Sequence, residues 1–181
     1  MSWSLDSAHT QVQFTVRHMM ISKVRGEFQK VSGSVALDEA NPTNTTLDIQ
    51  IETASINTRD GQRDGHLRSP DFFNSEVFPN ITFKSTKVEV TGQNKAILTG
   101  NLTIRDITRE VKLDVEFTGM AKSPWGTTNA GFTARGSLNR EDFGLVWNVA
   151  LETGGLLVGK DVELNIETEL IKTPDSAPAS A

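Results

Sequence analysis

The three histidines, at positions 9, 18 and 66, are the residues of this chain best suited to acid–base or metal chemistry. They lie far apart in the sequence, and no HExxH, no GxSxG and no closely spaced histidine pair is present. A catalytic or metal centre needs such groups to converge with carboxylates. The chain also lacks cysteine, which excludes disulfides, thiolate zinc sites and a cysteine nucleophile. We therefore expect no catalytic residue, no metal site and no cofactor.

Two other motifs suggest chemistry but have simpler interpretations. Residues 154–160 match GxxxxGK, yet Asp161 stands where a phosphate-binding loop needs Ser or Thr, so a glycine-rich turn between strands is favoured. Asp60 and Asp64 could ligate a metal, but arginine flanks each of them. We interpret these two carboxylates as part of a solvated turn with ion pairs.

Composition excludes several classes of protein. Eighteen basic and 23 acidic residues give a net charge of −5, which argues against nucleic acid as a partner. Mean hydropathy is −0.31, and apolar runs such as residues 19–21 are far shorter than the ~20 residues of a transmembrane segment. The first residues lack the apolar core of a signal peptide. We expect a cytoplasmic protein, or a periplasmic one if the N-terminus was trimmed.

Alternation of apolar and polar residues is the main pattern of the chain. Val12, Phe14, Val16 and His18 share one parity, and polar residues occupy the other. The same alternation recurs in residues 47–51, 111–117, 132–138 and 162–166. A period of two is typical of strands with one buried face and one solvated face.

Turn residues divide the chain into about eight such strands. An open sheet of this size would expose two edges, and closure removes them. The sequence therefore predicts an all-β fold, a closed antiparallel barrel of about eight strands, with a sandwich as the alternative. We place one domain at residues 1–171. Residues 172–181 are rich in proline and alanine with nothing to bury, and we expect a disordered tail there.

One segment, residues 58–79, interrupts the alternation. Ser69 and Pro70 fit the N-cap and first position of a short helical turn. Three phenylalanines, at positions 72, 73 and 78, argue against disorder. Loops of this length in compact domains are usually functional, so we predict a short helical cap over one barrel end.

Three inward positions bear on the barrel interior. His18 lies at the end of an apolar face, where it is either a buried, hydrogen-bonded histidine or a polar contact for a ligand head. Gly100 and Gly136 interrupt two other inward faces. An eight-stranded barrel is filled by side chains or holds one small ligand, and the missing side chains favour a cavity. Tight coiling of the sheet is the alternative. The cavity hypothesis predicts that Gly100→Leu fills the interior and loses ligand but still folds.

Four segments carry a resemblance to a known family: VQFTVRHMMISKVRGEF, INTRDGQRDGHLRSPDFFNSEVFPNITFKS, LTGNLTIRDITREVKLDVEF and GFTARGSLNREDFGLVW. In order and spacing they resemble the YceI-like polyisoprenoid-binding family, over residues 1–171, and RDGHLRSPDFF is the most specific part. The resemblance implies a lipocalin-like barrel that encloses an isoprenoid-type lipid, often as a homodimer. It implies no catalytic role.

We therefore expect a non-enzymatic carrier for a polyisoprenoid or other long-chain apolar lipid, such as an isoprenoid quinone or a polyprenyl phosphate, with a possible homodimer. The alternatives are an interaction barrel with a filled core, structural or linked to stress, and, less favoured, an enzyme that acts on an isoprenoid lipid. A diphosphate head would need Arg63, Arg68 or Arg105, and a quinone or amide head would need His18 or His66. The predicted ligand-binding residues are Phe14, Val16, His18, Phe28, Ile49, Ile51, Arg63, His66, Phe72, Phe73, Phe83, Gly100, Leu102, Ile104, Phe132, Gly136 and Phe143.

Overall fold

The computed structural model describes residues 2–173, which form ten strands and one α-helix. The strands are β1 (Ser2–His18), β2 (Ser22–Phe28), β3 (Val31–Ala36), β4 (Thr46–Glu52), β5 (Ile56–Asn57), β6 (Asn80–Gly92), β7 (Lys95–Ile104), β8 (Ile107–Lys122), β9 (Thr128–Asn139) and β10 (Val158–Thr173). The helix is α1 (Gly61–Arg68), and short 3-10 helices lie at Pro42–Asn44, Thr53–Ser55 and Arg140–Phe143.

The sheet closes on itself because β1 pairs with both neighbours. Its strand order runs β10-β9-β8-β7-β6-β4-β3-β1, and β10 pairs back onto β1 with Phe14 opposite Leu164. Every pairing in this circuit is antiparallel. The prediction of a closed antiparallel barrel of about eight strands is therefore confirmed, and the sandwich alternative is wrong.

Strands β2 and β5 extend the wall at one end of the barrel. The first half of β1 meets β3 at Ser4, whereas its second half pairs with β2 from Val12 to His18. Strand β5 then pairs with β2. The helix α1 follows β5 directly and lies at this end, which we call the capped end.

Inward-facing side chains form two buried clusters. The larger cluster includes Phe28, Ile56 and Phe143 and occupies the middle of the barrel and the capped end. The smaller one, formed by Trp3, Val35, Ala130 and Leu170, packs across the opposite end. Alternation along each strand thus places one parity inside the barrel and the other in solvent, as the sequence predicts.

The cap contains a helix, but its predicted start is wrong. Asp60 is the N-cap of α1 and accepts from the amides of Gln62 and Arg63, both at 3.1 Å. Ser69, the predicted N-cap, instead ends the helix, and its amide donates to the carbonyl of His66. Two capping signals compete in this segment, and the carboxylate of Asp60, nine residues before Ser69, accepts from free amides at the helix start.

The interpretation of Asp60 and Asp64 as part of a solvated turn with ion pairs is only partly right: Asp60 is exposed, but among the described residues neither aspartate forms an ion pair. Asp64 is buried and accepts from the amide and the hydroxyl of Thr58. Arg63, the neighbouring cation, directs its guanidinium to Thr58 rather than to a carboxylate. Asp60 therefore caps the helix, and Asp64 ties it to the segment that follows β5.

Strand β10 continues to Thr173, so Lys172 and Thr173 belong to the barrel wall. The rest of the expected tail, residues 174–181, lies outside the described residues. Within residues 2–173, α1 has eight residues, and no helix has the length and apolarity that crossing a bilayer requires.

Candidate functional site

A cavity of about 880 Å³ lies inside the barrel and is lined mainly by apolar side chains. Strand residues such as Phe14, Ile49 and Leu102 supply its walls, because inward positions of neighbouring strands meet at the barrel axis. A volume of this size is within the range of sites for small ligands and cofactors. The barrel is therefore hollow and not filled by its own side chains.

Aromatic rings line the cavity near the capped end. Phe28 lies between Phe14 and Phe73, with ring centroids 5.6 Å apart in each pair. The Phe28–Phe73 pair is edge-to-face, an arrangement that aromatic rings favour. This cluster joins the barrel wall to the cap, so the cap is packed on the interior as part of the same core.

Charged and ionisable groups of the lining gather at the capped end. They are Arg17, His18, Asp60, Arg63, His66 and Arg140. Because Arg17 and Asp60 are exposed, the cavity reaches the surface beside them. At the opposite end the polar contribution comes from threonines, and exposed Pro42 completes the lining. The cavity is thus amphipathic along its length.

Arg63 is already engaged in hydrogen bonds. Its Nε donates to the hydroxyl of Thr58 and its Nη2 to the carbonyl of Thr58, both at 2.7 Å. Thr58 in turn donates its hydroxyl to buried Asp64. The Nε–Nη2 edge of the guanidinium, which could bind a phosphate through bidentate hydrogen bonds, is therefore already bonded to Thr58.

His66 is held on three sides. Its Nε2 lies 2.9 Å from a carboxylate oxygen of Asp71. The imidazole ring packs edge-on against Phe72 and Trp147, with centroids 5.2 and 4.6 Å apart. Among the described residues, Nδ1 of His66 forms no hydrogen bond, and His66 is one of the residues that line the cavity.

Arg140 organises the loop between the last 3-10 helix and β10. This residue is 3% exposed, and its guanidinium donates to the carbonyls of Leu145, Trp147, Val158 and Gly159 at 2.6 to 3.3 Å. Burial lowers the pKa of Arg140, and the charge of Glu141 opposes that shift. The loop thereby places Trp147 over His66.

The cavity brings together most of the predicted ligand-binding residues. Fourteen of them line it: Phe14, Val16, His18, Phe28, Ile49, Ile51, Arg63, His66, Phe72, Phe73, Phe83, Leu102, Ile104 and Phe132. Phe143 is not in the lining and is 1% exposed within the core.

Gly100 and Gly136 are not in the lining either. A Cβ built on Gly100 would overlap the ring of Phe83, and one on Gly136 would lie 2.7 Å from Cδ2 of Leu113. Side chains of adjacent strands already occupy the space above both glycines. The cavity volume therefore comes from elsewhere, and the argument that these glycines create it is wrong.

Arg68 and Arg105, the other predicted phosphate ligands, lie outside the lining. Each uses its guanidinium on a backbone carbonyl: Arg68 on Ala54 at 3.1 Å and Arg105 on Phe72 at 3.4 Å. Sequence reasoning missed Trp147, Leu145 and Leu157, which do line the cavity. The spacing of Phe143, Leu145 and Trp147 at every second position could have indicated that their side chains share one inward face.

One cluster could hold a metal ion. Ligand atoms of Asp6, His9 and Glu169 lie within 4.8 Å of one another on the outside of the barrel. Nδ1 of His9 is 2.7 Å from Asp6 and 3.8 Å from Glu169. The imidazole is exposed, and its partnership with Asp6 raises its pKa. An ion pair accounts for this arrangement.

The motif at residues 154–160 forms a turn. Gly154 and Gly155 have φ angles of +91° and +86°, and β10 begins at Val158. Up to Thr173, where the described residues end, a strand and not a helix follows the turn, so no helix amides there could hold a phosphate.

The fold and the site define a class: a lipocalin-like antiparallel barrel with a capped internal cavity. The YceI-like domain model matches residues 3–170. The chain belongs to the YceI-like family.

Relatives cover nearly the full chain. A UPF0312 protein of Staphylococcus aureus strain N315 is 39% identical, over 93% of this chain and 96% of its own. The crystal structure of a Campylobacter jejuni YceI protein is 34% identical and covers 87% of this chain and 90% of its own, with a TM-score of 0.75. A domain from Saccharophagus degradans, described as polyisoprenoid-binding and implicated in plant cell wall breakdown, is 13% identical. It covers 96% of this chain and 99% of its own, with a TM-score of 0.64, and shows the shared fold.

Proposed function

We propose that this protein is a non-catalytic carrier that encloses a polyisoprenoid-type lipid in its barrel. The observation that carries the proposal is the apolar cavity of about 880 Å³ whose charged groups all lie at one end. An amphiphile with a long branched tail and a small polar head matches this distribution. The family resemblance points to the same class of ligand.

The apolar tail would supply most of the affinity. Burial of one CH₂ group contributes about 0.8 kcal/mol, so one isoprene unit contributes roughly 3–4 kcal/mol before the cost of ordering. Side chains such as Ile49, Leu102 and Phe132 offer only apolar surface to it. The head would then set selectivity and orientation.

For the head group, the hydrogen bonds favour a single polar contact over two-point capture of a phosphate. Arg63 uses two donors on Thr58, whereas Nδ1 of His66, a lining residue, forms no hydrogen bond among the described residues. Because Nε2 faces the Asp71 carboxylate and donates to it, Nδ1 of the neutral ring can only accept, from a head group that carries an O–H or N–H donor. A polyprenyl phosphate would have to displace Thr58 or use Arg17. The hydrogen bonds therefore argue against a phosphate head but do not choose among neutral heads.

Two other functions receive less support. An interaction barrel requires a filled core, and the cavity argues against it. An enzyme requires an activated nucleophile or base. His66 lies beside Asp71, but among the described residues no nucleophilic side chain is hydrogen-bonded to His66. Cytoplasmic location and a homodimer stay predictions.

The direct test is organic-solvent extraction of the purified protein, followed by mass spectrometry of the extract. We expect a stoichiometric isoprenoid lipid, whose mass identifies the head group. The emptied protein is then titrated with isoprenoid quinones of increasing tail length. Affinity should rise by roughly tenfold or more per isoprene unit until the cavity is full. An empty extract together with no binding on titration would overturn the proposal.

A further inference from the structure

The turn between β1 and β2 exposes large apolar side chains at the capped end. Met19 is 42%, Met20 57% and Ile21 84% exposed. Single exposed apolar residues are normal on a protein surface, but three in a row at a hairpin tip are not.

The backbone of this turn is unfavourable for the residues it carries. Met19 and Met20 have φ angles of +52° and +62°, and the amide of Ile21 donates to the carbonyl of His18 at 3.2 Å. Such a turn has a positive φ at both central residues and favours Asn-Gly. Two methionines are poorly suited to this conformation and gain little burial there, so folding alone gives no reason for them.

A second segment extends this surface. The amide of Met19 donates to the carbonyl of Leu157 at 2.7 Å, and the side chain of Met20 packs over Gly155. The loop around them exposes Val146, Val149 and Leu156 at 61%, 47% and 38%. We name these six exposed residues, 19–21, 146, 149 and 156, the apolar rim.

The apolar rim lies beside the mouth of the cavity. His18, next to Met19, lines the cavity, and so do Trp147 and Leu157 of the second segment. A surface that contacts the rim is thus within a few residues of the cavity opening.

Three cations, Arg17, Lys23 and Arg25, flank the rim on the outer face of the hairpin. Arg17 lies opposite Lys23, and Arg25 lies one position further along the same face. Residues 7–26 contain no Asp or Glu, although the chain as a whole has a net charge of −5. Within residues 2–173, none of these three cations takes part in an ion pair.

We propose that the apolar rim docks on an anionic lipid membrane. Met20 and Ile21 enter the boundary between head groups and acyl chains, and Arg17, Lys23 and Arg25 meet the phosphates. A second copy of the chain fits this surface less well, because a two-fold contact would bring two sets of like charges together. The docking itself is independent of the proposed function. The further idea, that docking allows the carried lipid to be exchanged with the membrane, rests on that function.

The test is flotation of the full chain with vesicles of phosphatidylcholine alone or with about 30% phosphatidylglycerol. We expect flotation with the anionic vesicles, weakened by salt at about 0.5 M. The double variant M20S/I21S should lose at least about tenfold in partition coefficient. Its matched control is Trp125→Ser, at the β8–β9 turn of the opposite end, where an 87% exposed tryptophan is removed. This control should bind like the parent.

Two further measurements test the role of charge and the folding of the variants. The variant K23E/R25E should lose its preference for anionic vesicles. Thermal melts should show that all variants are folded. Absence of flotation by the parent overturns the proposal, as does loss in Trp125→Ser but not in M20S/I21S. A change in oligomeric state in M20S/I21S with flotation intact would assign the rim to a second copy. Extraction and lipid titration of the same samples report on the proposed function independently. A protein that floats but yields no lipid and binds none on titration would overturn only that function.

Discussion

At Gly100 and Gly136 the missing side chain permits close packing between neighbouring strands. The ring of Phe83 and the methyl groups of Leu113 occupy the space that an inward side chain would take. Phe83 is itself part of the cavity wall, so Gly100 acts on the cavity only through its neighbour. A glycine at an inward-facing position can therefore mean either a cavity or close packing, and the side chain on the neighbouring strand decides which.

Gly100→Ala should destabilise the fold by about 1–3 kcal/mol, because its Cβ would overlap Phe83 and lie 2.8 Å from the carbonyl oxygen of Lys84. Gly100→Leu should be worse and should not yield a folded, ligand-free barrel. Gly65→Ala in α1 is the matched control, since its Cβ meets nothing within 4 Å, and we expect a gain of about 0.5–1 kcal/mol. Urea denaturation measures both, and equal effects would refute the packing role.

The pair of His9 and Asp6 should give a pH-dependent contribution to stability. The hydrogen bond and charge of Asp6, with a smaller effect of Glu169, raise the pKa of His9 above its ordinary value. A raised pKa in the folded state means that the contribution is complete below the unfolded pKa of about 6.5 and is lost as pH rises through the folded pKa. An NMR titration of the ring checks this. Asp6→Asn should return the pKa of His9 toward its ordinary value more than Glu169→Gln does.

Among the elements, the loop that follows the 3-10 helix Arg140–Phe143 depends on one buried cation. Arg140 supplies donors to four carbonyls within residues 145–159, and the packing of Trp147 on His66 follows from this arrangement. The same loop carries half of the apolar rim. The element thus joins the cavity, the cap and the surface.

Arg140→Met should cost on the order of 3 kcal/mol or more, because four carbonyls lose a charged donor in a buried site. Amide hydrogen exchange should also speed up in residues 145–159, more than in the barrel strands. Arg135→Met on the exposed face of β9 is the control and should change stability by no more than about 0.5 kcal/mol. Unchanged exchange in the loop of Arg140→Met would contradict the role assigned to this cation.

At the scale of the whole molecule, closure of the sheet converts eight half-polar strands into one enclosed apolar space. The pairing of β1 with β10 removes both edges. The Trp3 cluster packs across one end and the cap covers the other, where the charged groups lie. Shape and polarity together define the orientation that a bound amphiphile would take.

Ala134→Phe should block the proposed ligand while preserving the fold. Ala134 lines the cavity between Val115 and Ile166, so a larger ring there extends into empty volume. We expect bound lipid to fall at least about tenfold and the free energy of unfolding to change by less than about 1.5 kcal/mol. Ala121→Phe, at an exposed position of β8, is the control. Lipid content equal to that of the parent would show that this cavity is not the binding site.

The sequence by itself determined the class of fold and most of the cavity wall. Alternation is a local property, so the inward parity of residues such as Phe14, Val16 and Leu102 follows from each strand alone. The long cap could be recognised from the break in that pattern. Its helix could not be placed, because Asp60 and Ser69 are both adequate N-caps and the contacts of Asp64 with Thr58 decide between them.

Only the tertiary structure decided which groups share the interior and which do not. The place of Gly100 depends on Phe83 of the neighbouring strand, and the polar end depends on Trp147 reaching His66 across 81 positions of sequence. Arg105 matches a phosphate ligand in type but is used on the carbonyl of Phe72. Long-range contacts of this kind arise when the barrel closes, and the periodicity within single strands contains no information about them.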